Sequence, residues 1–356
     1  MTERRLQAVR SKLKSHRLDA LLVTFLPHVR YLTGFSGSNG ICLITETDQF
    51  FLTDGRYRTQ VQEEVKGFNV LVSSKSLFEE IAKRKFLAGR KRVGIEAQAL
   101  TVGQFRSLKK HLSRASLVET NNFVEEIASV KEESEIDAIR RAVEITGRVF
   151  QKILESIKDG ISELDVAAEI SYLHRKFGAE ADAFEAIVAS GERGALPHAR
   201  ATSKKIKRGE LVTIDMGCRY QGYHSDLTRT VSVGKPSHEV RRIYDVVRDA
   251  QSLALQAAKS GMKARALDKL ARSHIRRQGF GKYFNHSLGH GLGLQVHEMP
   301  RVSSLSKETL RAGNVITIEP GIYVPGVGGV RIEDDVVIRN GTCEVLTTVT
   351  RGLLIL

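Results

Sequence analysis

The chain has 356 residues, 41% of them hydrophobic and 27% charged, which fits a globular protein of two ordinary domains and excludes disordered and collagen-like classes. No apolar run reaches the eighteen or so residues of a membrane span, and Cys42, Cys218 and Cys343, odd in number and without CxxC spacing, suggest neither a disulfide framework nor a thiolate zinc site. The net charge of +14 raises a nucleic-acid partner, but Lys and Arg are spread along the chain and the denser runs at 83–85, 90–92 and 204–208 lack interleaved aromatics, so a solvated face with no nucleic-acid or membrane partner is expected.

Residues 3–16 place Leu6, Val9 and Leu13 on one stripe, predicting an amphipathic helix that leads into the apolar run at 19–25. Such a start is not a signal peptide, and a cytoplasmic location is expected. GICLITE (40–46) and QFFLTD (49–54) read as strands around the turn-forming Thr47 and Asp48, and VGIEA (93–97) with a helix over 101–112 continues the alternation. FSGSNG (35–40) lacks the GxxxxGK[ST] spacing and following helix of a phosphate loop, so it reads as a turn. These elements make a small α/β domain over 1–122.

Beyond it, Ile136, Ile139, Val143, Phe150, Ile153, Leu154 and Ile157 fall at helical spacing ahead of Gly160. Further helices are predicted over 162–178 with Ser162 as N-cap, from about 237 to before Gly261, and over 264–277 before Gly279. Between and after them lie the β-rich blocks ELVTIDMGCRYQGYHSDLTRTVSV and NVITIEPGIYVPGVGGVRIEDDVVI, so residues 123–356 read as an α+β domain of helices and antiparallel hairpins.

Those blocks hold carboxylates in unusual places. Asp215 precedes a turn marked by Gly217 and Gly222, and the chain returns through SDLTRTVSV with Asp226; paired arms put both acids on one face, where a cation removes the penalty of burying like charges. Glu319 follows the alternating VITI, and Glu333 reads as mid-strand, with Arg331 and Asp335 on its side of the pleat. Alone, that strand reads as sending Glu333 and Asp335 to solvent. HSLGHGLGLQVHE (286–298) adds three histidines among glycines that let the backbone pass close. Four carboxylates and the His290 imidazole suit a pair of hard divalent ions that would activate a bridging water.

In the contexts DMG, SDLTRT, GHGLG, EPGIY and VRIED, these five residues in this order resemble the pita-bread metallopeptidases: aminopeptidase P, prolidase, methionine aminopeptidase and creatinase. Each motif alone is weak, whereas five in order are specific. The LPHA and VHE stretches look most like the Xaa-Pro branch. The resemblance implies a pita-bread catalytic domain preceded by a creatinase-like α/β domain, and a homodimer acting on proline-containing peptides. It implies that Asp215, Asp226, His290, Glu319 and Glu333 hold two divalent ions, Mn2+ first and Co2+ or Zn2+ as alternatives, with a metal-bridging hydroxide as nucleophile. Glu319 would also handle protons. His198 and His297 would face the scissile peptide, His286 would line the pocket, Arg331 would orient carboxylates or substrate, and Tyr323 and Tyr223 occupy motif positions that equally suit packing. YLTGFSGSNG and DGRYRTQ lean towards an Xaa-Pro aminopeptidase; the alternative is an Xaa-Pro dipeptidase, and a remote one is a non-catalytic basic nucleic-acid-binding protein on the same scaffold.

Overall fold

Ala20–Val23 and Gly40–Thr45, apolar at nearly every position, are buried along their whole length, as continuous apolar runs require. They lie at the centre of a six-stranded sheet ordered Asn69–Ser73, Gln49–Asp54, Gly40–Thr45, Ala20–Val23, Arg92–Glu96, Ser116–Thr120. The middle pairings are antiparallel and the outer ones parallel. The computed structural model describes residues 2–87, 89 and 92–356, so Arg90 and Lys91 of one basic run lie outside the described residues. The chain divides into two compact units, the first ending at Ala128.

Residues 123–128, which the sequence assigns to the second domain, cluster with the first unit. Lys12 is the reason: its Nζ donates to Phe123 O at 2.8 Å and pairs with Glu126 at 2.8 Å. The helix Leu26–Thr33 carries no local N-cap bond. The Glu96 carboxylate, from a neighbouring strand, accepts instead from the Thr24 and Phe25 amides at 2.6 and 2.9 Å.

The second unit sets two helix pairs against their own strands. Glu133–Ile153 and Glu163–Lys176 bury Val149, Phe150 and Ile170 against Val188, Ile214 and Val231. His238–Ala257 and Ala264–Arg277 bury Val247, Leu267 and Ile275 against Ile316, Ile318 and Val336. Ser162 caps its helix in a capping box with Asp165, and Ser237 caps the third. The first of these helices stops at Ile153, short of Gly160, although Ile157 remains buried.

Leu227–Ser232, Leu211–Met216 and Ile187–Ser190 form one antiparallel sheet. Glu298–Val302, Gly289–Gly291, Val315–Ile318, Asp334–Ile338 and Cys343–Val345 form another, beside the ribbon of Gly321–Val324 with Gly328–Arg331. Glu333 is therefore not mid-strand. It sits with Ile332 at the step between Gly328–Arg331 and Asp334–Ile338, where its N–H donates to Thr228 O at 3.1 Å and links two sheets.

Candidate metal centre

Asp215 pairs with Thr228 across the antiparallel ladder, and Asp226 lies two residues before Thr228, so strand alternation aims both acids at the same face. Gly217 permits the turn between them, since a Cβ there would lie 2.0 Å from Ser225 O. Glu333 reaches the same place from the sheet step. Its Oε2 accepts from Thr228 Oγ1 at 2.6 Å, while Asp226 N–H donates to Asp335 Oδ2 at 2.9 Å. Glu333 and Asp335 do not face solvent: they are 2% and 0% exposed.

His290 comes from the opposite side. Its short strand squeezes between neighbours, and at Gly291 a Cβ would meet Met299 O at 2.1 Å. The ring's Nδ1 lies 3.1 Å from Gly291 O, so Nδ1 carries the proton and Nε2 keeps its lone pair for a cation. That Nε2 stands 3.7 Å from Asp226 Oδ2 and 3.5 Å from Glu319 Oε1. One ligand atom each from Asp226, His290 and Glu333 falls within 4.8 Å of the others.

Crowding and burial set the electrostatics. Burial, then the charges of Glu333, Asp215, Asp335 and Glu319, push the Asp226 carboxyl well above its usual range. Burial and the Glu333 charge do the same to Glu319. Glu333 is pushed up to about 8 by burial first and Asp215 second. Burial, with His297 alongside, lowers His290 to about 4, keeping it a neutral ligand. Asp215 Oδ1 and Asp335 Oδ1 are buried without a hydrogen-bond partner among the described residues. Buried carboxylate oxygens left without a partner are expensive. Hard oxygen donors with one imidazole fit divalent cations, which would supply the missing positive charge.

Arg331, Tyr323 and His286 form a relay behind the acids. Arg331 donates to Asp215 Oδ2 at 2.6 Å, Thr228 Oγ1 at 3.0 Å, Pro197 O at 3.2 Å and Tyr323 Oη at 2.8 Å. The Tyr323 hydroxyl in turn lies 2.9 Å from His286 Nε2, and His286 Nδ1 lies 2.7 Å from Ser287 O. The polar atoms of Arg331 and Tyr323 are thus largely committed to protein partners, which makes them braces of the pocket wall, and the bond to Asp215 is of the carboxylate-orienting kind that the resemblance allows for Arg331. Burial, with Arg331 next in effect, lowers His286 to about 3, so it is neutral. Tyr223 lies outside this relay; its hydroxyl donates to Glu135 at 2.9 Å.

His198 and His297 are both exposed. The His297 ring stands edge-on to His290 with centroids 4.3 Å apart, and although one side of the residue is open to solvent, partial desolvation of the ring lowers its pKa, with Asp215 opposing the shift and His198 adding to it. Sequence patterns miss two neighbours. Thr228 is the hydroxyl that ties Glu333 to Arg331, and only its even spacing from Asp226 hints at it. Arg301, exposed on the strand that follows His297, donates Nε to Ser287 Oγ at 3.3 Å, beside His286.

Comparison with known proteins gives two family matches: metallopeptidase family M24 over residues 137–340 and the creatinase/prolidase N-terminal domain over 5–130. An Xaa-Pro dipeptidase of Pyrococcus horikoshii is 42% identical over 95% of each chain. The solved structure of an Xaa-Pro dipeptidase from Bacillus anthracis is 37% identical and superposes with TM-score 0.98 over 100% of both chains. An X-Pro aminopeptidase from Thermotoga maritima is 38% identical with TM-score 0.89, over 96% of this chain and 100% of its own.

Proposed function

The chain belongs to metallopeptidase family M24, and from that membership we propose that it is an Xaa-Pro dipeptidase. The observation that carries the reading is the full-length likeness to the Bacillus anthracis dipeptidase. It outweighs the lean towards an aminopeptidase that YLTGFSGSNG and DGRYRTQ suggest. The Thermotoga maritima likeness keeps the aminopeptidase as a second reading. Proline has no amide hydrogen and a fixed φ, so its peptide bond suits few general peptidase sites and favours a dedicated pocket.

We assign Asp215, Asp226, His290, Glu319 and Glu333 to two divalent ions, with Mn2+ first because four of the five side chains are carboxylates. Bound there, the ions would supply a water acidic enough to attack near neutral pH and a Lewis acid for the scissile carbonyl. The chain's own groups divide the remaining work. Glu319 has a second carboxylate oxygen with which to take the water's proton and pass it to the proline nitrogen. His297, exposed beside His290, donates an N–H to the carbonyl oxygen as charge develops on it, and His198 flanks the same opening. Arg331 holds Asp215 in place. A dipeptidase also needs a cation for the free carboxylate; Arg301 is exposed beside His286, whereas Arg331 is buried and engaged. A homodimer and a cytoplasmic location belong to the same proposal.

The test is to offer Ala-Pro and Ala-Pro-Ala-Ala to the Mn2+-loaded protein. Hydrolysis confined to the dipeptide is expected; equal kcat/KM on the longer peptide would establish the second reading instead.

A further inference from the structure

His198 sits on the connection that leaves the strand Ile187–Ser190 and rejoins the sheet at Leu211. Apolar packing holds the first part of this connection poorly. Over 191–201 the buried hydrophobic side chain is Ala199, whereas Leu196 is 54% exposed and His198 and Arg200 are exposed. One carboxylate takes over. Glu163, fully buried, accepts from Ser190 N–H at 2.8 Å and Ser190 Oγ at 2.9 Å where the loop begins. It accepts from Thr202 N–H at 3.1 Å and Thr202 Oγ1 at 2.8 Å where the loop ends. Arg193 Nε adds a charge-assisted bond at 3.0 Å, and the same guanidinium crosses the loop to donate to Arg200 O.

Helix capping does not account for this carboxylate. Glu163 opens the helix Glu163–Lys176, but Ser162 and Asp165 already close its capping box, and the donors to Glu163 come from outside the helix. Its place in the first turn, at the positive end of the macrodipole, eases the burial of a negative charge. An apolar side chain there would fill the space but leave the Ser190, Arg193 and Thr202 donors unpaired. The far side of the loop is tied as well. Arg331 Nη1 donates to Pro197 O at 3.2 Å, the carbonyl of the peptide bond that leads into His198, while Nη2 holds Asp215. Gly194 lies so close to Gly329 that a Cβ on Gly329 would stand 1.9 Å from Gly194 O.

We infer that Glu163 is a positioning residue for the reaction: it clasps the two ends of the 191–201 loop and, together with Arg331 at Pro197, fixes where His198 stands. The inference rests on the role given to His198 under Proposed function, and Glu163 reaches the chemistry only through that histidine. An exposed donor on a loop with little apolar anchorage samples many positions unless the backbone on both sides of it is pinned. Turnover depends steeply on such placement, so the clasp acts on rate and leaves the metal ligands untouched.

The test uses the full-length, Mn2+-loaded protein. In Glu163→Gln one oxygen becomes an amide NH2 of similar size, which can satisfy the Ser190 pair or the Thr202 pair but not both. Trypsin should then cut after Arg200 about tenfold or more faster than in the parent, with cuts elsewhere in the chain unchanged. Metal content should stay at the parent value while kcat/KM for Ala-Pro falls about 10- to 30-fold. In a His198→Ala background the same substitution should cost less than about threefold, because the clasp has nothing left to position. Thr202→Val, which removes a single hydroxyl, should move both readouts the same way by about threefold, and it serves if Glu163→Gln does not fold. Unchanged cutting after Arg200, or an equal loss of kcat/KM with and without His198, would overturn the inference. His198→Ala at the parent rate is a different failure: it removes the role proposed for His198, while the cutting rate still judges the clasp.

Discussion

Stripping metal from the protein should make its stability fall as pH rises, opposite to the usual trend for carboxylates in salt bridges. Glu333 shows why: burial and Asp215 push its carboxyl from 4.5 to about 8. A folded-state pKa above the unfolded value means that the native state holds the extra proton between those limits. The stability it contributes is full below about 4.5 and is lost as pH rises through about 8. A shift of that size corresponds to roughly 5 kcal/mol, of which roughly 3 kcal/mol falls between about pH 5.5 and 8.5. For a unit of this size that is about 6–12 °C in melting temperature. Asp226 and Glu319 are raised in the same direction and steepen the trend. Calorimetric melts across the window, with chelator and with Mn2+, test it. The chelated protein should lose midpoint as pH rises, the loaded protein should not, and Glu333→Gln should flatten the chelated slope. A chelated midpoint that stays level or climbs would refute the crowding argument.

Four further outcomes follow. Tyr323→Phe removes the hydroxyl between Arg331 and His286, so kcat should fall about 5- to 30-fold, the equivalent of 1–2 kcal/mol, with metal content unchanged by elemental analysis. Gly291→Ala places a methyl 2.1 Å from Met299 O; the strand must shift, and both Mn2+ affinity by titration calorimetry and melting temperature should drop, with a loss of folding stability of roughly 1–3 kcal/mol. Arg301→Met should raise KM for Ala-Pro about 10-fold or more with a smaller change in kcat, as expected for a group that binds a carboxylate in ground and transition states alike. Loading Mn2+ should release protons, read as a buffer-dependent calorimetric enthalpy near pH 7, because Glu333 retains its proton until about 8.

Local periodicity carries much of the fold. The inner stripe of Glu133–Ile153, the caps Ser162 and Ser237, and the alternation that sets Asp215 beside Asp226 are short-range signals, and the elements form where those signals place them. What the sequence leaves illegible depends on partners far along the chain. The helix Leu26–Thr33 is capped by Glu96, about 70 residues away. Glu333 looks mid-strand because VRIEDDVVI alternates throughout, yet its N–H bonds to Thr228 and the strand breaks there. Solvent is the default for Glu333 and Asp335 taken alone; only the convergence of two other sheet edges buries them. The commitment of Arg331 to Asp215, Tyr323 and Pro197 is likewise a tertiary fact.

The most direct test of the central claim joins metal content to turnover in the same samples. Protein dialysed against Mn2+ should bind two ions per chain by elemental analysis and hydrolyse Ala-Pro, and Asp226→Ala should lose both together. Ala-Pro turnover that survives in metal-free protein, or an Asp226→Ala variant with full metal content and full rate, would contradict it.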